Sequence, residues 1–144
     1  MGKYNISDGG IKEAAYRAQM SRAKTAELKG RITSLLIKRK KYLDKDYSAR
    51  RLADELGTNT RYVSAAVSVC FGMNYTSLVN KYRVERAKVV LTDRKHEGLK
   101  MEDVGLMAGF ANRQSFYAAF YKFTGMTPRQ YKKQAAQADE PKCK

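Results

Sequence analysis

One segment of this chain occurs twice, and no other feature constrains its fold as tightly. Residues 59–74 read NTRYVSAAVSVCFGMN, and residues 112–127 read NRQSFYAAFYKFTGMT. Asn opens both copies. An Ala-Ala pair sits at the same offset (Ala65-Ala66 and Ala118-Ala119), and both copies close on Gly-Met (Gly72-Met73 and Gly125-Met126). Val63 and Val67 bracket the first pair, and Phe116 and Phe120 the second. Residues four apart share one face of a helix, so each copy reads as a short amphipathic helix. The chain carries 29 Lys and Arg against 14 acidic residues, a formal net charge of +15. A helical unit repeated in so basic a chain points to one surface used twice on a repeating polyanion, with DNA the first candidate.

A length of 144 residues fits one domain or two very small ones sharing a core. The 43% hydrophobic share argues against wholesale disorder. A charge imbalance of this size is self-repelling without an anionic partner, so nucleic acid, anionic membrane and acidic protein head the partner classes. No apolar run is long enough to span a bilayer, and no N-terminal signal pattern is present. No membrane partner is therefore expected. Cys70 reads as a small core hydrophobe and Cys143 as an exposed thiol in the tail. His96 is the only histidine and has no second ligand nearby in the sequence. No metal site, cofactor or catalytic residue is expected.

Two prolines and abundant Leu, Ala, Lys, Arg and Glu predict an all-α chain. Residues 1–24 read as a flexible leader or linker remnant, with a thin Ala-rich stripe over 11–20. Residues 25–74 form a first helix-turn-helix subdomain, 75–92 a connecting helix, 93–134 a second helix-turn-helix subdomain, and 135–144 a flexible tail. Leu28, Ile32, Leu35, Leu36 and Leu43 share one helical face opposite Lys38, Arg39, Lys40 and Lys41, which read as a solvated face. Ser48 caps a helix over 49–56 that Gly57 ends; Arg51 stands where a capping-box Glu would be. Asn59 caps the next helix, which ends at Gly72. The second copy follows the same plan, with one extra residue in its turn near Phe110 and Ala111. Thr127-Pro128 starts a last helix reaching about Gln134, with Tyr131 inward. The connecting helix keeps Leu78, Val79, Tyr82, Ala87, Val90 and Leu91 at helical spacing. Its length of about 25 Å would set the two repeated helices apart by close to one DNA turn.

In a helix-turn-helix the N-terminal part of the second helix reaches base edges. With Val63, Ala66 and Val67 in the core, the outward side of copy one is Thr60, Arg61, Ser64, Ala65 and Ser68. With Phe116, Phe120 and Phe123 in the core, the outward side of copy two is Arg113, Gln114, Tyr117, Ala118 and Tyr121. Arg pairs with guanine and Gln with adenine in bidentate fashion, which makes Arg61, Arg113 and Gln114 the leading base readers. Ser64 is a weaker candidate on the same side, and Ala65 and Ala118 either meet thymine methyls or are small so that the helix sits deep. Thr60, Ser68, Tyr117 and Tyr121 are supporting contacts. Asn74, Thr76, Lys122, Thr127 and Arg129 are candidates for phosphate, at or near helix starts. A nonspecific nucleic-acid-binding or architectural protein would explain the charge equally well. It gives no reason for Arg and Gln at the starts of the repeated helices.

The stretch around Gly109-Phe110, Ser115-Phe116, Phe120, Lys122-Phe123, Gly125-Met126-Thr127-Pro128 and Tyr131 resembles the signature of the AraC/XylS family of bacterial transcription regulators. Residues 83–91, RVERAKVVL, resemble that family's connecting helix. The resemblance covers about Leu28 to Lys133. It implies seven helices, with two helix-turn-helix units joined by one long helix. It also implies double-stranded DNA as partner, asymmetric promoter sites, RNA polymerase recruitment by an activator, a location in the bacterial cytoplasm at the nucleoid, and a module monomeric on DNA, dimerising through an upstream domain where one exists. Base-reading positions carry over to Arg61, Ser64, Ala65, Arg113, Gln114 and Ala118. Two departures stand out. Ala65 and Ala118 replace the long polar or basic side chains frequent in the family, and Val67-Ser68 replaces its usual Phe-Lys.

Overall fold

Caps and stops cut the chain into helices much as their local chemistry dictates. The computed structural model describes residues 22–139, with side chains from 24 to 137. Most of the leader, the end of the tail and Cys143 lie outside the described residues. Seven α-helices and no strand occur among the described residues: α1 (Arg22–Thr33), α2 (Ala49–Leu56), α3 (Thr60–Phe71), α4 (Tyr75–Thr92), α5 (Met101–Met107), α6 (Arg113–Thr124) and α7 (Pro128–Asp139). None of them is long and apolar enough to cross a membrane by itself.

Packing divides the chain into two units. Of the described residues, one unit comprises those up to Arg39 together with Tyr47–Leu78, and the other Lys40–Asp46 together with those from Val79 on. This differs from the boundaries read in the sequence. The connecting helix is shared at Leu78/Val79, and a short piece of the first segment packs with the second unit.

In the first unit α3 packs against both α1 and α2. Leu28, Ile32, Leu36, Leu52, Ala53, Leu56, Val63, Ala66 and Val67 are buried there. The helical face predicted to run on to Leu43 does not persist. Ser34–Lys38 forms a π-turn, Arg39 N–H donating to the Ser34 carbonyl at 2.9 Å, and Lys40 takes a left-handed conformation at φ 55°. Widening the turn and reversing φ swing the chain off the helix axis, and Leu35 and Leu43 end half-buried. Tyr47 is buried; its hydroxyl donates to Glu55, and its carbonyl accepts from the Tyr75 hydroxyl at 3.0 Å. Cys70 is half-buried with its thiol 3.6 Å from the Thr25 carbonyl. Burial pushes the Cys70 pKa up, against a smaller opposing pull from Lys29, which keeps it a thiol.

The second unit closes over Val84, Ala87, Val90 and Leu91 of α4, Val104 and Ala108 at α5, and Phe110, Phe116, Ala119 and Phe120. In the longer turn of copy two, Phe110 enters the core, 5.3 Å from Phe116. Tyr131 packs edge-on to Phe120 at 5.5 Å, at the border of this core. Phe123, read as core, is 37% exposed and is a correction.

Arg83 of α4 donates from Nε to the Tyr42 carbonyl at 2.6 Å and from Nη2 to the Asp44 carbonyl at 2.9 Å. The same guanidinium lies over the Phe110 ring at 5.9 Å. Residues 40–46 are thereby fastened to the second unit. Thr127 and Gln130 exchange hydrogen bonds as a capping box: the Gln130 amide donates to Thr127 Oγ1 at 3.1 Å, and the Thr127 amide to Gln130 Oε1 at 2.9 Å. From that start α7 continues through Ala135 and Ala136 to Asp139, beyond the predicted end. Alanine is the strongest helix former, which accounts for the extension.

Candidate nucleic-acid interface

Two helices of equal length carry the candidate contacts. Each has 12 residues, an Asn cap and a left-handed glycine stop. Asn59 Oδ1 accepts the Tyr62 amide at 2.8 Å, and Asn112 Oδ1 accepts the Ser115 amide at 2.8 Å. Gly72 N–H returns to the Ser68 carbonyl at 2.9 Å and Gly125 N–H to the Tyr121 carbonyl at 2.8 Å. A cap of this kind is worth about 1 kcal/mol. Asn112→Ala is accordingly expected to lower stability by about 1 kcal/mol in urea unfolding, and a change under a few tenths would show that the cap is idle.

On α3 the exposed side chains are Thr60, Arg61 and Ser64, with Ser68 half-buried. Ala65, placed outward by the sequence, is corrected: it is fully buried. A methyl with no accessible surface cannot meet a thymine, and Ala65 is withdrawn as a base contact. The cause is packing on two sides. With both α1 and α2 against it, α3 buries Val63, Ala65, Ala66 and Val67, more than half of its circumference at about 3.6 residues per turn.

On α6 only Phe116, Ala119 and Phe120 are buried. Arg113, Gln114 and Ala118 are exposed, and Tyr121 is 58% exposed. Tyr117, predicted to face outward, is corrected: it is half-buried against the core, and its hydroxyl is buried without a partner among the described residues. The Arg113 guanidinium lies over the Tyr117 ring at 5.0 Å, so this aromatic supports the arginine from beneath. Neither Arg61 nor Gln114 makes a hydrogen bond or ion pair with another described residue, which leaves their donors available.

Among the phosphate candidates, Asn74 caps α4 by accepting the Ser77 amide at 2.8 Å. Thr76, Lys122 and Arg129 are exposed, and Thr127 is half-buried in its capping box. Sequence reasoning missed two further cations. A cavity of about 500 Å³ in the second unit is lined by Lys100 and Lys132 together with Arg113, Arg129 and Glu102. Periodicity carries no signal for this grouping, because its members come from a loop and three helices.

A helix-turn-helix domain model matches residues 52–134. An uncharacterized HTH-type transcriptional regulator of Staphylococcus aureus (strain MSSA476) is 29% identical over 91 residues, 63% of this chain and 12% of that protein. The melibiose operon regulatory protein of Escherichia coli (strain K12) is 26% identical over 94 residues, 65% of this chain and 30% of that one. The chain thus spans a minor part of the length of these relatives. Among solved structures, the C-terminal domain of the two-component response regulator yesN from Fusobacterium nucleatum is 27% identical, with a TM-score of 0.62 over 78% of this chain and 99% of that one. The C-terminal domain of AraT, a response regulator from Geobacillus stearothermophilus, shares the fold with a TM-score of 0.63 over 81% of this chain and 88% of that chain at 22% identity. The chain belongs to the helix-turn-helix family of AraC/XylS type.

Proposed function

We propose that this chain is the sequence-specific DNA-binding module of a transcription regulator, one that activates by reading two adjacent major grooves of an asymmetric promoter site. The observation that carries this is the pair of like-capped helices exposing Arg61 and Ser64 on α3, and Arg113, Gln114 and Ala118 on α6, in their N-terminal halves. Thr60, Ser68 and Tyr121 flank those readers. Asn74, Thr76, Lys122, Thr127 and Arg129 serve the backbone, and Tyr117 acts through Arg113. Family membership supports DNA as partner; binding as a monomer and recruitment of RNA polymerase are part of the same proposal.

Selection from a randomised duplex pool tests the reading. Enrichment of one asymmetric motif, bound at least about a hundredfold better than random duplex at physiological salt, is the expected result. Equal affinity for all duplexes would instead favour the nonspecific or architectural alternative, which the net charge of +15 alone explains. Arg61→Ala and Gln114→Ala are each expected to cost about 1–3 kcal/mol and to relax the preference at one base pair. A motif left unchanged by either substitution would remove that residue from the readers.

A further inference from the structure

We propose that the cavity beside the start of α6 is a seat for a phosphate of the DNA backbone, held by Lys100, Arg129 and Lys132. The inference rests on the DNA-binding reading above and gives that site a named second partner group. Lys100 ends the loop before α5, Arg113 begins α6, and Arg129 and Lys132 lie in the first two turns of α7. They wall one concave space of about 500 Å³ with a single carboxylate, Glu102.

None of these five residues forms an ion pair with another described residue. Four basic residues lining one hollow raise its positive potential, and a concave wall focuses it. An anion in the hollow would relieve that repulsion. Lys132 is already held in place, since Nζ donates to the Glu97 carbonyl at 2.6 Å, and an ammonium keeps two further donors. Lys100 and Arg129 are exposed and free to close on a guest. Phosphate oxygens accept charge-assisted hydrogen bonds from both side-chain types. Arg113 decides the source of the phosphate. It walls the cavity and also begins the helix that the proposed reading sets into the major groove, so a strand flanking that groove would pass the cavity. A small phosphorylated molecule would offer the same oxygens without the neighbouring groove.

The test uses the whole chain and the duplex motif enriched by selection. The double variant Lys100→Gln, Lys132→Gln is expected to lower the slope of log affinity against log salt by about 0.9, to weaken binding about fivefold near physiological salt, and to select the same motif. Lys95→Gln, an exposed lysine of the same unit outside the cavity, is expected to keep the wild-type slope. Circular dichroism melting checks that the double variant folds; Arg129→Gln provides the same measurement should it not. A wild-type slope in a folded double variant would overturn the seat while leaving DNA binding standing. Saturable binding of inorganic phosphate to the free protein at residues 98–102, combined with that unchanged slope, would assign the cavity to a small anion and overturn the backbone assignment. A wild-type chain with no preferred duplex would sink the DNA reading itself, a separate and visible result.

Discussion

Gly109→Ala is expected to cost about 3–5 kcal/mol, enough to unfold much of the second unit at moderate temperature. Two costs add. Gly109 sits at φ +99°, a conformation L side chains rarely adopt, worth about 1–3 kcal/mol. A Cβ there would also fall on the carbonyl oxygen of Tyr42 and lie 2.9 Å from Leu43 Cα. Both are backbone atoms of a segment that Arg83 fastens with two hydrogen bonds, so they cannot yield as a flexible side chain would. Urea unfolding of the variant measures the loss directly. A change below about 1 kcal/mol would show that residues 40–46 move aside freely.

Phe116→Ala is expected to have an effect of the same order, about 3–5 kcal/mol, by a different route. Phe116 is fully buried, with Phe110, Phe120 and Tyr117 rings at 5.3, 5.8 and 5.8 Å. On its other side α5 approaches so closely that a Cβ on Gly105 would lie 2.9 Å from Phe116 Cδ2. Removing the ring leaves a hole bounded by backbone on one side and rings on the others, and rigid walls collapse poorly. Loss of the α6 anchor is expected to abolish preferential duplex binding together with the melting transition. A variant that melts within about 1 kcal/mol of wild type would mean the core refills, as a more plastic packing allows.

The parts of the fold legible in the sequence are those written in neighbouring residues. Asn59 and Asn112 each satisfy an amide three residues on, and Gly72 and Gly125 stop the helices they cap, so α3 and α6 could be placed within a residue or so. Thr127-Pro128 announced α7 in the same way. What the sequence could not show depends on which elements meet. Ala65 and Ala118 occupy the same offset in the repeat, yet one is buried and the other exposed, because the helices packed on α3 and those packed on α6 cover them differently. Phe123 is as apolar as Phe120, yet it is 37% exposed where Phe120 is fully buried. Lys100 and Lys132 are 32 positions apart and share a wall only once α5 and α7 are in place. For the candidate interface, the sequence identified Arg61, Ser64, Arg113 and Gln114 as a chemical set; it could not tell that Tyr117 turns in beneath Arg113.

The fastening of residues 40–46 by Arg83 and Gly109 has a practical meaning for anyone dissecting the chain. A fragment stopped at Leu78 would hold both helices of the first copy and still lack the two residues that receive its own loop. A fragment begun at Val79 would keep that receptor and leave it empty. The repeat is contiguous in sequence, but the bodies built from it are interleaved, so no single cut between the copies yields two intact halves.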